Sequence, residues 1–190
     1  SFTNTAGCVG TGSATLTTNA PLTTIVLLTM PLCNGNANGN ITLNPSGGVA
    51  PYEYATAPTF TNYQTSNIIG GITANTYTIR IRDNVGCIKD TTVTLSQPTL
   101  LTASATSTPG TCNGNDGQIT VTGGGGTPAY SYSVDNGASY QPSPNFVVSG
   151  GNFPDIRVRD ANGCVANTNV NVVLIDNMFL IPMNDTTICV

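Results

Sequence analysis

The stretch Tyr77-Thr78-Ile79-Arg80-Ile81-Arg82-Asp83-Asn84-Val85-Gly86-Cys87 decides the fold. Tyr77, Ile79 and Ile81 alternate with Thr78, Arg80 and Arg82, the two-residue period of a strand with one apolar and one watered face. Asp83 to Gly86 follows as a turn, since Asp and Asn side chains bond nearby backbone and Gly accepts a left-handed conformation. The chain then writes the same thing again as Asp155-Ile156-Arg157-Val158-Arg159-Asp160-Ala161-Asn162-Gly163-Cys164. Working outward, Cys8 to Cys33, Cys87 to Cys112 and Cys164 to Cys189 are each 25 residues apart, with gaps of 54 and 52 between these pairs. The resulting period is about 78 residues, and fixed-period self-similarity means a tandem array. Cys33-Asn34-Gly35 aligns with Cys112-Asn113-Gly114, Asn38-Gly39 with Asp116-Gly117, Gly47-Gly48 with Gly125-Gly126, and Tyr52 and Tyr54 with Tyr130 and Tyr132.

Alternation elsewhere in the first copy predicts strands A near 22–29, B near 40–44, C near 52–55, C′ near 59–64, E near 67–72, F near 76–82 and G near 91–97. Seven short antiparallel strands make an immunoglobulin-like β-sandwich, so the expected fold is all-β, in tandem. The expected organisation is the end of a preceding repeat at 1–20, repeats at 21–98 and 99–175, and the start of a following immunoglobulin-like domain at 176–190. In the second copy, Ser133 to Tyr140 resembles an Asp-box hairpin, a structural motif in which Asp and Gly suit a tight turn.

Composition narrows the function. Of 190 residues 39% are apolar and only 7% charged, with a net charge of -4, so the chain folds rather than staying disordered. Five basic residues give no footprint for nucleic acid. The run Ile25 to Leu28 is far too short to span a bilayer. There is no histidine, so Ser-His-Asp and Cys-His sites are excluded within these residues. The nine acids are scattered and mostly sit in turns, Asp83, Asp135 and Asp160 among them, where they read as hairpin-closing Asx turns rather than calcium ligands. No enzyme activity, metal or cofactor is expected.

Two surfaces invite a binding role. Arg80, Arg82, Arg157 and Arg159 fall on the outward face of strand F in both copies. Such a stripe suits bidentate contacts to an acidic polysaccharide or partner domain, or else cross-strand pairs with threonines and acids. Tyr52, Tyr54, Tyr130 and Tyr132 suit a sugar platform, but alternation assigns them to the core.

Regularly spaced cysteines in a charge-poor chain argue for an oxidising compartment and disulfides. Without Cys-x2-Cys or histidine, zinc is a poor alternative. Nearest-neighbour pairs such as Cys87 with Cys112 are disfavoured, because strand G lies between them and holds its ends far apart. Cys33 with Cys87 and Cys112 with Cys164, each within one repeat, are the simplest pairs. Against them stands parity: with seven alternating strands, the A–B loop and F–G turn lie at opposite ends of one sandwich, which favours Cys33 with Cys164. Partners of Cys8 and Cys189 are expected outside the sequence.

The stretches "CNGxxNGxIT" from Cys33, "GGxxPYxY" from Gly47 and "YTIRIRDxxGC" from Tyr77 resemble the SprB-type repeats of cell-surface adhesins of gliding Bacteroidota. The resemblance covers nearly all of 21–174. The second copy departs from it at Asn152-Phe153-Pro154, before strand F. It implies secretion by the type IX pathway, an extracellular cell-surface location, and a structural or adhesive role in a filament serving gliding or attachment. It also carries an O-glycosylation pattern, Asp-Ser/Thr-x, to Thr91 and Thr186. Expected partners are neighbouring repeats of the same chain, with other copies in a filament and surface polysaccharide as alternatives. Two further readings stand beside the stalk. One is a multi-chain fibre subunit, prompted by the two-sided apolar strand A and the apolar run Met178-Phe179-Leu180-Ile181; the other is a carbohydrate-binding module of a secreted hydrolase.

Overall fold

Single-residue alternation builds the sheets: Ile79 and Ile81 are fully buried, while Arg80 and Arg82 on the other face keep contact with solvent. The computed structural model describes residues 2–3, 9–10, 19–112 and 114–175. Cys8, Asn113, Thr186, Cys189 and the apolar run at 178–181 lie outside the described residues. Among the described residues every regular element is a strand.

A short pair, β1 (Phe2–Thr3) and β2 (Val9–Gly10), comes first. Then β3 (Thr23–Thr29), β4 (Gly39–Ser46) and β6 (Ile68–Ile72) form one sheet in the order β3-β4-β6. A second sheet has β5 (Glu53–Thr56), β7 (Asn75–Arg82) and β8 (Ile88–Leu95) in the order β5-β7-β8. The pattern recurs downstream. The strands β9 (Thr102–Thr108), β11 (Gly117–Gly124) and β13 (Asn145–Val148) make one sheet, with β11 central. The strands β12 (Ser131–Ser133), β14 (Gly151–Arg159) and β15 (Val165–Val172) make the other, with β14 central. Two-residue strands β10 (Gly110–Thr111) and β16 (Leu174–Ile175) pair in parallel. In immunoglobulin terms each copy has an A-B-E sheet and a C-F-G sheet, the expected fold class.

Two strand expectations are corrected. The predicted C′ strand is absent: its segment contributes only the isolated bridge Tyr54↔Gln64, matched by Tyr132↔Gln141 downstream. Phe60 has φ 51°, outside the extended region, and its N–H is spent on Thr56 O at 3.3 Å in a turn, so the segment does not start as a ladder. Strand G begins at Ile88 rather than near Thr91. The departure at Asn152-Phe153-Pro154 becomes a β-bulge, with register shifting between Phe153 and Ile156 where proline has no amide to give.

Packing divides the chain into two units, 1–27 with 41–69 and 76–93, and 28–40 with 70–75 and 94–190. The first centres on Ile41, Leu43, Tyr54, Ala55, Ile79 and Ile81, and the second on Leu101, Ile119, Val121, Ile156, Val158 and Val172, all buried. Each fully buried aliphatic side chain stabilises its unit by roughly 1.5–3 kcal/mol.

Candidate functional site

The F–G turn is built to hold one cysteine in place. Asp160 is almost wholly buried, and its Oδ1 accepts from Asn162 N at 2.9 Å and Cys164 N at 2.9 Å, while Oδ2 accepts from Thr127 N at 2.8 Å. Asp83 does the same in the first copy, with Val85 N at 3.1 Å and Cys87 N at 2.7 Å on Oδ1 and Val49 N at 2.9 Å on Oδ2. Burial raises the Asp83 pKa, but these backbone N–H donors outweigh it and the net shift is downward. Both acids are therefore turn-closing groups, as the spacing predicted.

Cys164, so presented, is bonded to Cys33, with the Cα atoms 5.8 Å apart and 131 residues between them in sequence. Both ends belong to the second packing unit. The A–B loop carrying Cys33 is held from several sides within that unit. Asn162 Nδ2 donates to Leu32 O at 2.9 Å, Asn34 Nδ2 to Pro98 O at 3.0 Å, Gly35 N to Gln97 Oε1 at 2.8 Å, and Leu32 N to Asn38 Oδ1 at 3.2 Å. Closing a loop of this length stabilises the folded chain by about 5 kcal/mol in the chain-entropy account.

This corrects the simpler pairing: Cys33 with Cys87 and Cys112 with Cys164 do not form. Thr23 at the start of β3 bonds Ser46, and Val49 bonds Asp83, so the first F–G turn sits at the end where β3 begins. Cys33 follows the other end of β3, roughly 20 Å of extended chain away, against the ~6 Å between Cα atoms that a disulfide spans. Cys112 is also disulfide-bonded. Cys87 is an exposed free thiol.

The arginine stripe lies on the outward face, but its groups are engaged. Arg80 pairs with Asp90 at 2.7 Å and lies 4.2 Å over the Phe60 ring. Arg82 pairs with Glu53 and stacks 4.0 Å over Tyr63. Arg157 pairs with Asp155 at 2.6 Å and donates to Asn136 Oδ1 at 2.6 Å. Arg159 stacks 4.0 Å over Tyr140 and donates to Ser131 Oγ at 3.3 Å. Hydrogen bonds from the arginines hold the Asp90 and Asp155 carboxyls below their usual range.

The two tyrosines among the stacking partners belong to a repeated pair that sequence reading passed over. Tyr63-Gln64 and Tyr140-Gln141 align across the period. Gln64 Nε2 bonds Ser66 O and Ile68 O, both at 2.9 Å, while Gln141 Nε2 bonds Ser143 O at 3.1 Å and Asn145 O at 3.0 Å. The glutamine ties the C–E connection so that the tyrosine covers the second arginine of strand F.

The other predicted residues take structural places. Tyr54 is buried, and Tyr130 and Tyr132 pack on the second core. Tyr52 and Tyr130 donate to the Gly47 and Gly125 carbonyls at 2.7 and 2.6 Å, bracing the Gly-Gly turns. Asp135 closes its hairpin through Ser133 Oγ at 2.6 Å and Ser139 N at 3.0 Å, the geometry the Asp-box likeness implied. Thr91 is half-buried, sharing the inward parity of Val93 and Leu95. Among the described residues no three His, Cys, Asp or Glu side chains are grouped to hold a metal.

Fold and cysteine geometry together define a tandem immunoglobulin-like chain with disulfide-joined loops. The SprB repeat family matches it at residues 29–55 and 104–139, one segment in each copy. No curated protein matches. Among solved structures, the chain is similar to three N-terminal domains of the Highly Immunogenic Outer Capsid protein of bacteriophage RB49, at 13% identity and TM-score 0.47, covering 81% of this chain and 59% of that one. It is also similar to the C-terminal 282-residue fragment of intimin in complex with the translocated intimin receptor's intimin-binding domain, at 14% identity and TM-score 0.43, covering 81% and 64%. A third is the N-terminal eight-domain part of Down Syndrome Cell Adhesion Molecule, at 16% identity and TM-score 0.35, covering 76% and 22%. The chain spans under two thirds of each of these chains, and the likeness is in fold alone.

Proposed function

We propose that this chain is a structural and adhesive stretch of a cell-surface filament, a stalk of repeats at 21–98 and 99–175 exposed outside the cell and serving attachment or gliding. The observation that carries the reading is the Cys33–Cys164 bond between the A–B loop of one repeat and the F–G turn of the next. Disulfides persist in oxidising compartments, and the SprB repeat matches agree with a surface array. Secretion by the type IX pathway in a gliding bacterium belongs to the same proposal and rests on the family likeness.

The test is to image filaments sheared from the cells and labelled with an antibody to this chain. Thin threads with one bead per repeat, spaced about 35–45 Å if each strand of 8–10 residues spans a module, are expected. A thick fibre with a regular subunit lattice would overturn the stalk.

One observation favours a multi-chain fibre as the second reading. On β3, an edge strand of its sheet, Ile25 and Leu27 are 69% and 58% exposed, and an apolar exposed edge invites pairing with another chain. The carbohydrate-binding reading leaned on tyrosines that the structure places in the core and on turn braces.

A further inference from the structure

The two F–G turns share one hydrogen-bond pattern. Asp83 N bonds Cys87 O at 3.0 Å as Asp160 N bonds Cys164 O at 3.0 Å, and Gly86 N bonds Asp83 O at 3.1 Å as Gly163 N bonds Asp160 O at 3.1 Å. Asn84 N reaches Val49 O at 2.9 Å as Ala161 N reaches Thr127 O at 3.0 Å. Gly86 and Gly163 have φ of 90° and 82°. Cys87 is thus held out in the manner of Cys164, yet one carries an A–B loop and the other does not.

What surrounds Cys87 is uncovered. Val85 and Ile88 beside it are 61% and 53% exposed. An open cleft of about 370 Å³, lined by Pro51, Glu53, Arg82, Asn84, Val85 and Gly86 among others, adjoins the turn. At the second turn, Asn162 receives the incoming loop by bonding Leu32 O and Thr127 Oγ1. The aligned residues at the first turn are Val85 and Val49, which offer an apolar seat in place of an amide.

We propose that Cys87 is the acceptor of a further inter-repeat disulfide, and that its partner is the cysteine of a Cys-Asn-Gly A–B loop in a SprB-type repeat preceding residue 21 in the same chain. These repeats then form a ladder in which the preceding repeat's A–B loop is bolted to the first F–G turn as the Cys33 loop is bolted to the second. The bond forms by exchange. The Cys87 thiolate attacks an oxidising disulfide, expelling one thiolate, and the loop cysteine's thiolate then attacks the Cys87 sulfur of the mixed disulfide and expels the second. Two protein thiols lose two electrons and two protons, and the disulfide donor leaves as two thiols. The inference rests on the array reading only for the source of the loop.

The experiment tests the full chain with residues 21–98 duplicated ahead of residue 21 and Cys87→Ser in the added copy, refolded in a glutathione redox buffer. Cross-links are mapped by mass spectrometry without reduction. The expected result is a Cys33–Cys87 cross-linked peptide beside the Cys33–Cys164 one, Cys87 blocked to maleimide, and loss of the first cross-link alone when the added copy carries Cys33→Ser. Maleimide-reactive Cys87, a covalent dimer through Cys87, or a Cys33–Cys87 link surviving that control overturns the ladder and leaves the stalk itself standing. The Cys33–Cys164 peptide reports folding. If it is missing, the same map on the natural chain purified from its own cells decides, and alkylated Cys87 there overturns the proposal equally.

Discussion

Asn162 gives its side-chain amide to the carbonyl of Leu32 at 2.9 Å, beside the Cys33–Cys164 bond and 130 residues away in sequence. The same amide nitrogen lies 3.0 Å from Thr127 Oγ1, so the loop meets a group already positioned by its own sandwich. The amide bond and the disulfide hold the same loop, and the disulfide limits how far the folded chain can open.

That limit gives the first prediction. Replacing both Cys33 and Cys164 by serine is expected to lower stability by about 3–5 kcal/mol, the chain-entropy value reduced by whatever structure the unfolded chain keeps. Urea unfolding of the double variant against the parent measures it, and a loss below 1 kcal/mol would contradict the role given to the bond. Under single-molecule extension, reduction should release up to roughly 470 Å of additional chain, 131 residues at about 3.6 Å each.

A second prediction concerns acid. Asp83, Asp90, Asp116, Asp135 and Asp155 all have carboxyls lowered from an ordinary value of 3.8. Hydrogen bonds do this for four of them, and for Asp83 they prevail over burial. A folded-state pKa below the unfolded one stabilises the fold above the unfolded value and is lost as pH falls through the folded value. The melting temperature should therefore fall from about pH 4 downward. It should stay nearly flat between pH 5 and 8, because the chain has no histidine to titrate there. Thermal melts at pH 7, 5, 4 and 2 check this, and a stability maximum below pH 4 would be the wrong sign.

The stacked pair offers a third. Arg159 lies 4.0 Å over Tyr140, and an exposed cation–π contact contributes about 0.5–1 kcal/mol. A double-mutant cycle with Arg159→Ala and Tyr140→Ala should give a coupling energy in that range, whereas additive single effects would show the ring to be a bystander. The Arg82 and Tyr63 pair should behave alike, with Glu53 as a third coupled partner.

Much of this was legible in the sequence because it depends on near neighbours along the chain. The Ile79/Arg80/Ile81/Arg82 alternation set which side chains face inward, and the Asp-to-Gly turns followed from turn chemistry. The cysteine partner was harder, since alternation fixes which face a residue takes while the pairing depends on which end of a sandwich each loop reaches. Counting seven strands raised Cys33 with Cys164 as an alternative, and the bonds at Thr23 and Val49 decide it. Tyr63-Gln64 and Tyr140-Gln141 were missed although they repeat on the same period. Tyr63-Gln64 was read as part of a C′ strand and Tyr140 as the end of the Asp-box hairpin, and their work is done by a glutamine amide bonding backbone carbonyls, which leaves no hydrophobic pattern.

The last prediction separates two costs of placing a side chain on a left-handed glycine. Gly125 has φ 68°, and a Cβ there would lie 2.0 Å from Leu100 O, a backbone atom that cannot swing aside. Gly163 has φ 82° but nothing within 4 Å of its added Cβ. Gly163→Ala should therefore cost only the backbone term, about 1–2 kcal/mol for an L-residue in that region. Gly125→Ala adds a clash that must push Leu100 and the start of β9 off the sandwich, and overpacking of that kind costs about 1–3 kcal/mol more. Denaturant unfolding of the two variants side by side measures the difference. Equal losses would mean that the approach of Leu100 to the Gly-Gly turn is looser than the structure shows, and that the Tyr130 bond to the Gly125 carbonyl holds the turn without it.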